Sequence, residues 1–380
     1  LGWRRFEPAP LTDPVTVEGP GDDGVVVMTN GLVTVAVDPT DGTFAVDGIA
    51  GFGRLVDGGD LGDSYNYSPP GNDSVVDTPD AVTVSVTERG PVRARVVVTS
   101  TYHWPDKVDG ASQARVGSHE VEVVTTLELR ADERPVRVTT VFVNPSRDHR
   151  LRVHLPLPHP ATSSEAECAF TTVTRGLTAE GRPDELGIPT FPARRFVAAG
   201  GLTVVHAGVT EYELVDLEGE EGSAEAHTLA LTLLRSTGML SRVGMAYRPS
   251  PAGPLTPVDG LQLAGRRIVA RYAVAVGDVD PWAMADDVLV PLDVVRSLGG
   301  GERPVEGSAL SVEGAEVTAV RREESLLEVR VCNPTDEPVT VRTGGRSGWL
   351  VDLRGRPLDP FDGSFELRPR GIATFRLAGD

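Results

Sequence analysis

Cysteine is almost absent from this chain of 380 residues. The only two, Cys168 and Cys332, lie far apart in the sequence. Two such residues make neither a disulfide framework nor a cysteine-rich metal site. We therefore expect both to be small buried apolar side chains. The scarcity of cysteine also favours a cytoplasmic location.

Positive charge and long apolar runs are also scarce. The 36 basic residues are outnumbered by 55 acidic ones, which gives a net charge of −19. A field of this sign repels phosphate backbones and anionic membranes, so we expect neither nucleic acid nor a membrane as a partner. No apolar run is long enough to cross a bilayer, and no signal-peptide pattern opens the chain. Because the sequence starts at Leu1 and not at Met, we expect it to be a piece of a longer protein.

The common local motifs of catalysis and metal binding are missing. There is no His-x-Asp pair, no HExxH, no GxSxG and no glycine-rich phosphate loop between a strand and a helix. His149, His154 and His159 follow one another at intervals of five, and an odd interval puts the first two on opposite faces of a strand. The sequence therefore predicts no catalytic residue and no metal ligand in this chain.

Alternation of apolar and polar residues is the dominant pattern. It flanks Asn30-Gly31, a strong signal for a tight hairpin, and it also flanks Gly90-Pro91 and the stretch 131–134. The alternating runs are rich in Val, Thr, Ile and Leu, and turn residues interrupt them at short spacing. This pattern predicts a large all-β antiparallel structure, either a sandwich or a barrel.

Helix signals are few, and they help to divide the chain. In residues 278–292, Asp280 can cap a helix, Pro281 suits its first position and Pro291 ends it. A glycine-rich stretch follows, and beyond it enough residues remain for one small immunoglobulin-like sandwich. The predicted segments are a strand or linker remnant over 1–22, a large β-domain over 23–280, a helix and linker over 281–304, and a small β-sandwich over 305–380.

The stretch LGDSYNYSPP at positions 61–70 is the best candidate for a binding site. It holds two of the six tyrosines of the chain. Aromatic rings stack on the C–H face of a sugar, and carboxylates and amides bind its hydroxyls. Asp63, Tyr65 and Tyr67 share one parity, so an extended chain would direct all three to the same side. We predict these three as substrate-binding residues, with the aromatic cluster at 101–106 as a second candidate lining. The alternative is that the rings only pack the loop onto the core.

Several long segments resemble the C-terminal half of glycoside hydrolase family 38 α-mannosidases, particularly bacterial members. They occur in the same order as in that family and run from about residue 25 to the end. The opening LGWRR is similar to a strand of the small β-domain that precedes the large one there. The matching segments are NGLVTVAVDPTDGTF, GRLVDGGDLGDSYNYSPP, RDHRLRVHLPLP, PTFPARRFV, LTLLRSTGMLSR, and LEVRVCNPTDEPVTV with LRPRGIATFRL.

The resemblance implies a particular fold, and it implies that catalysis takes place in a different domain of the parent enzyme. The large domain would be a super-sandwich similar to galactose mutarotase. Full-length relatives hydrolyse α-mannosidic bonds with retention, using an aspartate nucleophile and a zinc ion in an N-terminal α/β-barrel that has no counterpart here. We therefore expect zinc only in that missing domain. The expected partners are the barrel of the same parent chain and mannosides. The resemblance also implies assembly into homo-oligomers. In relatives a tyrosine-bearing loop helps to wall the sugar pocket, and residues 62–70 look like that loop.

Two other functions remain open from the sequence. One is a carbohydrate-binding module without catalysis, which would use the tyrosine-rich stretch. The other is a mutarotase-like sugar epimerase, which needs an acid and a base on opposite sides of a bound sugar. His103, His119 and Glu120 are the candidates for that chemistry.

Overall fold

The alternating residues form paired antiparallel strands throughout the chain. The computed structural model describes residues 2–6, 10–209, 211–220, 222–295, 304–323 and 325–377. The larger unit comprises Leu11–Ala166 and Thr174–Pro291, and the smaller comprises Leu1–Pro10, Glu167–Val173 and Leu292–Asp380. The predicted all-β antiparallel class is confirmed.

The described part of the chain contains a series of strands, one α-helix and one 3₁₀ helix over Asp259–Gln262. In chain order the strands begin with β1 (Gly2–Arg4), β2 (Thr16–Glu18), β3 (Val26–Thr29), β4 (Thr34–Val37), β5 (Phe44–Val46), β6 (Ile49–Phe52), β7 (Arg54–Gly59), β8 (Ala81–Arg89), β9 (Arg93–Trp104), β10 (Lys107–Asp109), β11 (Ala114–Val116), β12 (His119–Arg130), β13 (Val136–Val143), β14 (His149–Ala161) and β15 (Ser163–Cys168). They continue with β16 (Thr171–Gly176), β17 (Thr190–Pro192), β18 (Phe196–Ala199), β19 (Leu202–Ala207), β20 (Glu211–Glu218), β21 (Glu225–Ser236), β22 (Arg267–Val276), the helix α1 (Pro281–Leu289), β23 (Glu306–Ser308), β24 (Glu316–Glu323), β25 (Leu326–Cys332), β26 (Val339–Arg342), β27 (Gly348–Val351), β28 (Pro357–Phe361), β29 (Ser364–Leu367) and β30 (Ile372–Leu377).

Three sheets build the larger unit around one apolar core. The widest has nine strands in the order β16-β15-β18-β19-β22-β13-β12-β9-β8, and Glu167–Val173 within its first two strands are grouped with the smaller unit. Two sheets of five strands have the orders β17-β20-β21-β14-β7 and β2-β3-β4-β5-β6. Alternate residues of β9, including Val96 and Val98, are buried in a core that also holds Phe44 and Leu151. Every second side chain along these strands thus faces the same apolar core.

The predicted hairpins and the predicted helix are confirmed. Strands β3 and β4 pair on either side of Asn30-Gly31, β8 and β9 pair across Gly90-Pro91, and β12 pairs with β13. The Asp280 carboxylate accepts hydrogen bonds from the backbone N–H groups of Trp282 and Ala283, which caps α1. The helix packs Met284 against Phe196 and Ala273 on the outer face of the nine-stranded sheet.

The smaller unit has its own core. Its five-stranded sheet has the order β24-β25-β30-β27-β28, and β26 pairs with β29. Phe361, Phe365 and Phe375 contact one another through ring edges and faces within this core. A separate ribbon joins β1 to β23.

The predicted segment bounds stay predictions. Strand β2 lies within the predicted 1–22 segment and pairs with β3 of the larger unit. Residues 296–303 of the predicted linker lie outside the described residues. Cys332 is fully buried, as expected, whereas Cys168 is only half-buried. Within the described ranges, no helix is long and apolar enough to span a bilayer.

Candidate functional site

Three of the segments that carry the family resemblance meet in one sheet of the larger unit. Strands β7, β14 and β21 lie side by side, with His149 opposite Gly59 on one neighbour and opposite Ser236 on the other. The tyrosine-bearing loop, residues 60–70, leaves the end of β7 next to this register point. Segments that are distant in sequence therefore support one loop.

Asp63 folds this loop into a tight turn. Its Oδ1 accepts hydrogen bonds from the backbone N–H groups of Tyr65 (2.9 Å) and Asn66 (3.1 Å). The backbone N–H of Asp63 in turn donates to the Asn66 carbonyl (3.0 Å). The chain bends at positions 64 and 65. The extended geometry assumed from the shared parity of residues 63, 65 and 67 is therefore wrong, because local hydrogen bonds to an aspartate favour a turn.

The other oxygen of Asp63 is also occupied. Oδ2 accepts one hydrogen bond from the Arg242 backbone N–H at 2.8 Å and another from an Nη of Arg248. The Arg248 side chain is only 5% exposed. Arg248 also donates through Nε to Asn66 Oδ1 at 2.9 Å. Burial acts to raise the pKa of Asp63, but the hydrogen bonds from Asn66, Arg248 and the other donors outweigh it, so the pKa is lowered. The carboxylate thus holds the loop and has no exposed oxygen for a sugar.

A second buried pair fixes the start of the loop. Asp60 accepts the Gly62 N–H at 2.7 Å and Arg235 Nε at 2.6 Å, and Arg235 also donates to the Asn66 carbonyl. Burial raises the pKa of Asp60, while the charge and the hydrogen bond of Arg235 act against this rise. The two aspartates and two arginines make a rigid base beneath the tyrosines.

The two tyrosines of the loop differ in exposure. The ring of Tyr67 lies 3.6 Å from the guanidinium carbon of Arg150 in a cation–π contact, and burial raises the pKa of its hydroxyl. Tyr65 is 55% exposed, and its ring lies 5.9 Å from the guanidinium carbon of Arg248. Gly253 faces the Tyr65 hydroxyl, and a Cβ at that position would lie 3.3 Å from it. Of the three predicted residues, only Tyr65 presents a largely open surface.

A buried polar network beneath the loop was not predicted from the sequence. His149 contacts Asp57 Oδ1 through Nδ1 at 2.6 Å and Asn144 Oδ1 through Nε2 at 2.9 Å. Arg115 pairs with the other oxygen of Asp57. These side chains come from four different segments, so only the sheet register brings them together. The intervals between histidines gave no signal for this network.

The other candidates from the sequence lie elsewhere. Tyr102 and Trp104 of the second aromatic cluster are 4% and 0% exposed in the main core, so they do not line a site. His103 and Glu120 are directly opposite on neighbouring strands and share an exposed face, while His119 pairs with Asp106. An acid and a base side by side on a sheet do not flank a sugar. In the described part of the chain, no three His, Cys, Asp or Glu residues come together as metal ligands.

The fold and the loop together define a large all-β sandwich protein in which the ring of Tyr65 is exposed on a rigidly held loop. No protein-family model matches the sequence, and the curated proteins contain no significant match. Two solved structures have the same fold. One is an α-mannosidase from Enterococcus faecalis V583, with a TM-score of 0.72 and 20% identity over 98% of this chain and 43% of that chain. The other is a protein in glycosyl hydrolase family 38 from Enterococcus faecalis, with a TM-score of 0.72 and 21% identity over 98% of this chain and 45% of that one.

This chain therefore spans less than half the length of both structures. The resemblance to family 38 α-mannosidases that was seen in the sequence is confirmed in the fold.

Proposed function

We propose that this chain is the non-catalytic β-portion of a longer retaining α-mannosidase. The observation that carries the proposal is the fold shared with an α-mannosidase over 98% of this chain and only 43% of the other. In this proposal the nucleophile and the zinc ion belong to a barrel in the rest of the parent chain. In the part of the chain that the structure describes, no three His, Cys, Asp or Glu side chains lie together as zinc ligands would.

We propose that Tyr65 forms part of the wall of the sugar pocket in the parent enzyme. Its exposed ring offers a face for the C–H groups of a mannose unit. Asp63 and Tyr67 act as positioning residues, because the Asp63 oxygens and one face of Tyr67 are already in contact with arginines. This rigid support matters, because a mobile Tyr65 ring would not hold a bound sugar in one orientation. The scarcity of cysteine supports a cytoplasmic location for the enzyme.

Replacing Tyr65 by alanine in the parent enzyme should lower kcat/KM for an aryl α-mannoside about three- to tenfold, the value of one aromatic contact. Tyr65→Phe, which keeps the ring, should retain most of the activity. Trp349→Ala is the matched control, because Trp349 is 44% exposed and lies in the smaller unit. Steady-state kinetics on the three variants, each with its melting temperature measured, check the prediction. Equal kcat/KM for Tyr65→Ala and the wild type would contradict the wall role.

A further inference from the structure

A groove rich in arginine lies on the outer face of the nine-stranded sheet, and none of its lining residues belongs to the tyrosine-bearing loop. Its volume is about 510 Å³, within the range of small-molecule sites. Four arginines and one glutamate line it, although the whole chain carries a net charge of −19. The charged lining residues are Arg95, Glu128, Arg130, Arg137 and Arg271.

Strand register builds the groove from two neighbouring rows. In the first row, Glu128 of β12 lies between Arg95 of β9 and Arg137 of β13. In the second row, Thr139 lies between Thr126 and Arg271. Side chains opposite each other on adjacent strands have Cβ atoms about 5 Å apart, so each row is continuous.

The first row is internally paired and rigid. Glu128 accepts hydrogen bonds from Nε of Arg95 and from Nε of Arg130, both at 2.6 Å. Burial acts to raise the pKa of Glu128, but these hydrogen bonds outweigh it and the pKa is lowered, so the side chain is ionised. Arg137 bonds to Glu133 at 2.8 Å and to the Val288 carbonyl at 3.1 Å, which fixes the end of α1 as a wall of the groove.

The second row has donors with no partner among the residues that the structure describes. Arg271 is exposed and makes no ion pair there. The hydroxyls of Thr126 and Thr139 make no hydrogen bond to another side chain in the same set. Ala207 lies opposite Arg271 on the next strand, and its small side chain leaves room beside the guanidinium. A guanidinium has five N–H donors in a planar fork, so a single unpaired arginine provides a strong oxyanion contact.

We infer that this groove binds a phosphate monoester of about the size of a sugar phosphate. Arg271 contacts the phosphate with both arms of its fork, and the hydroxyls of Thr126 and Thr139 donate to the remaining oxygens. The four arginines exceed the two paired glutamates, Glu128 and Glu133, by two charges, which matches a dianion. The carbon skeleton of the ligand lies against Val288 and Leu289 at the end of α1.

Isothermal titration calorimetry in a phosphate-free buffer tests this inference. The probes are mannose 6-phosphate, inorganic phosphate and methyl α-mannoside. Mannose 6-phosphate should bind at least fivefold more tightly than inorganic phosphate, the neutral mannoside should give no signal in this groove, and high salt should weaken binding. Arg271→Gln should lower the affinity for mannose 6-phosphate tenfold or more, because it removes a charged hydrogen-bond donor.

Arg267→Gln is the matched control. Arg267 is an exposed arginine on the same strand and the same face, and it does not line the groove. It should leave the affinity unchanged, and both variants should keep the wild-type melting temperature. Three results would overturn the inference: no binding of either anion, equal affinity for the two anions, or unchanged affinity in Arg271→Gln. Because none of these readouts depends on mannoside hydrolysis, they are independent of the proposed enzyme function.

Discussion

Replacing Asp63 by alanine should lower the free energy of unfolding by about 3–5 kcal/mol, the usual effect of removing one partner of a buried ion pair. Arg248 would keep its charge in a site where its side chain is only 5% exposed. The backbone N–H groups of Tyr65, Asn66 and Arg242 would also lose their acceptor. Urea unfolding of the purified chain, followed by circular dichroism, measures the change.

Two further variants show whether the effect comes from the ion pair. Arg248→Met keeps much of the side-chain volume, and combined with Asp63→Ala it should recover part of the loss because no buried charge is left unpaired. Asp22→Ala, an exposed aspartate of the same unit, should change stability by no more than about 0.5 kcal/mol. A loss below about 1 kcal/mol in Asp63→Ala would contradict the anchoring role.

Acidification should destabilise the protein through two buried histidines. Burial lowers the pKa of His206 to about 4. Burial, together with Arg152 and Arg54, lowers the pKa of His154 to about 4 as well. In the unfolded chain both pKa values return to about 6.5. Between pH 6.5 and 4 the unfolded state therefore binds protons that the folded state does not.

The free energy of unfolding should consequently be highest above pH 6.5 and fall as the pH decreases towards 4. Each histidine contributes up to about 3 kcal/mol to this loss. His206→Leu should reduce the loss, because leucine does not titrate and position 206 faces the core beside Leu202 and Val204. His103→Gln, at an exposed histidine, is the control that keeps the His206 contribution. Urea unfolding at pH 7 and pH 4.5 gives the comparison, and an equal pH-dependent loss in His206→Leu and wild type would contradict it.

The sequence predicted local structure well, because local structure depends on local patterns. Asn30-Gly31 favours a tight turn between alternating runs, and Asp280-Pro281 favours the start of a helix. Both features appear as predicted. The family resemblance added what patterning left open, since alternation alone does not distinguish a sandwich from a barrel.

The details of the candidate site could not be predicted in the same way. The parity of Asp63, Tyr65 and Tyr67 suggested a shared direction, but the partner that fixes the turn, Arg248, lies 185 residues further along the chain. The arginine-rich groove depends on the register of five strands, β9, β12, β13, β22 and β19. Arg95 and Arg271 share it only because β12 and β13 lie between their strands. Such contacts are set by tertiary structure and leave no motif in the sequence.

The most direct test of the proposed function compares this chain with the longer α-mannosidase that we propose it comes from. Hydrolysis of an aryl α-mannoside is measured on the purified 380-residue chain and, in parallel, on the proposed parent enzyme, both with zinc supplied. We expect turnover by the parent enzyme and none above the blank for the 380-residue chain. We also expect the shorter chain to unfold cooperatively and to show the circular dichroism of β-structure, so that its inactivity is not the result of misfolding. Mannoside turnover by the 380-residue chain alone would contradict the proposed function.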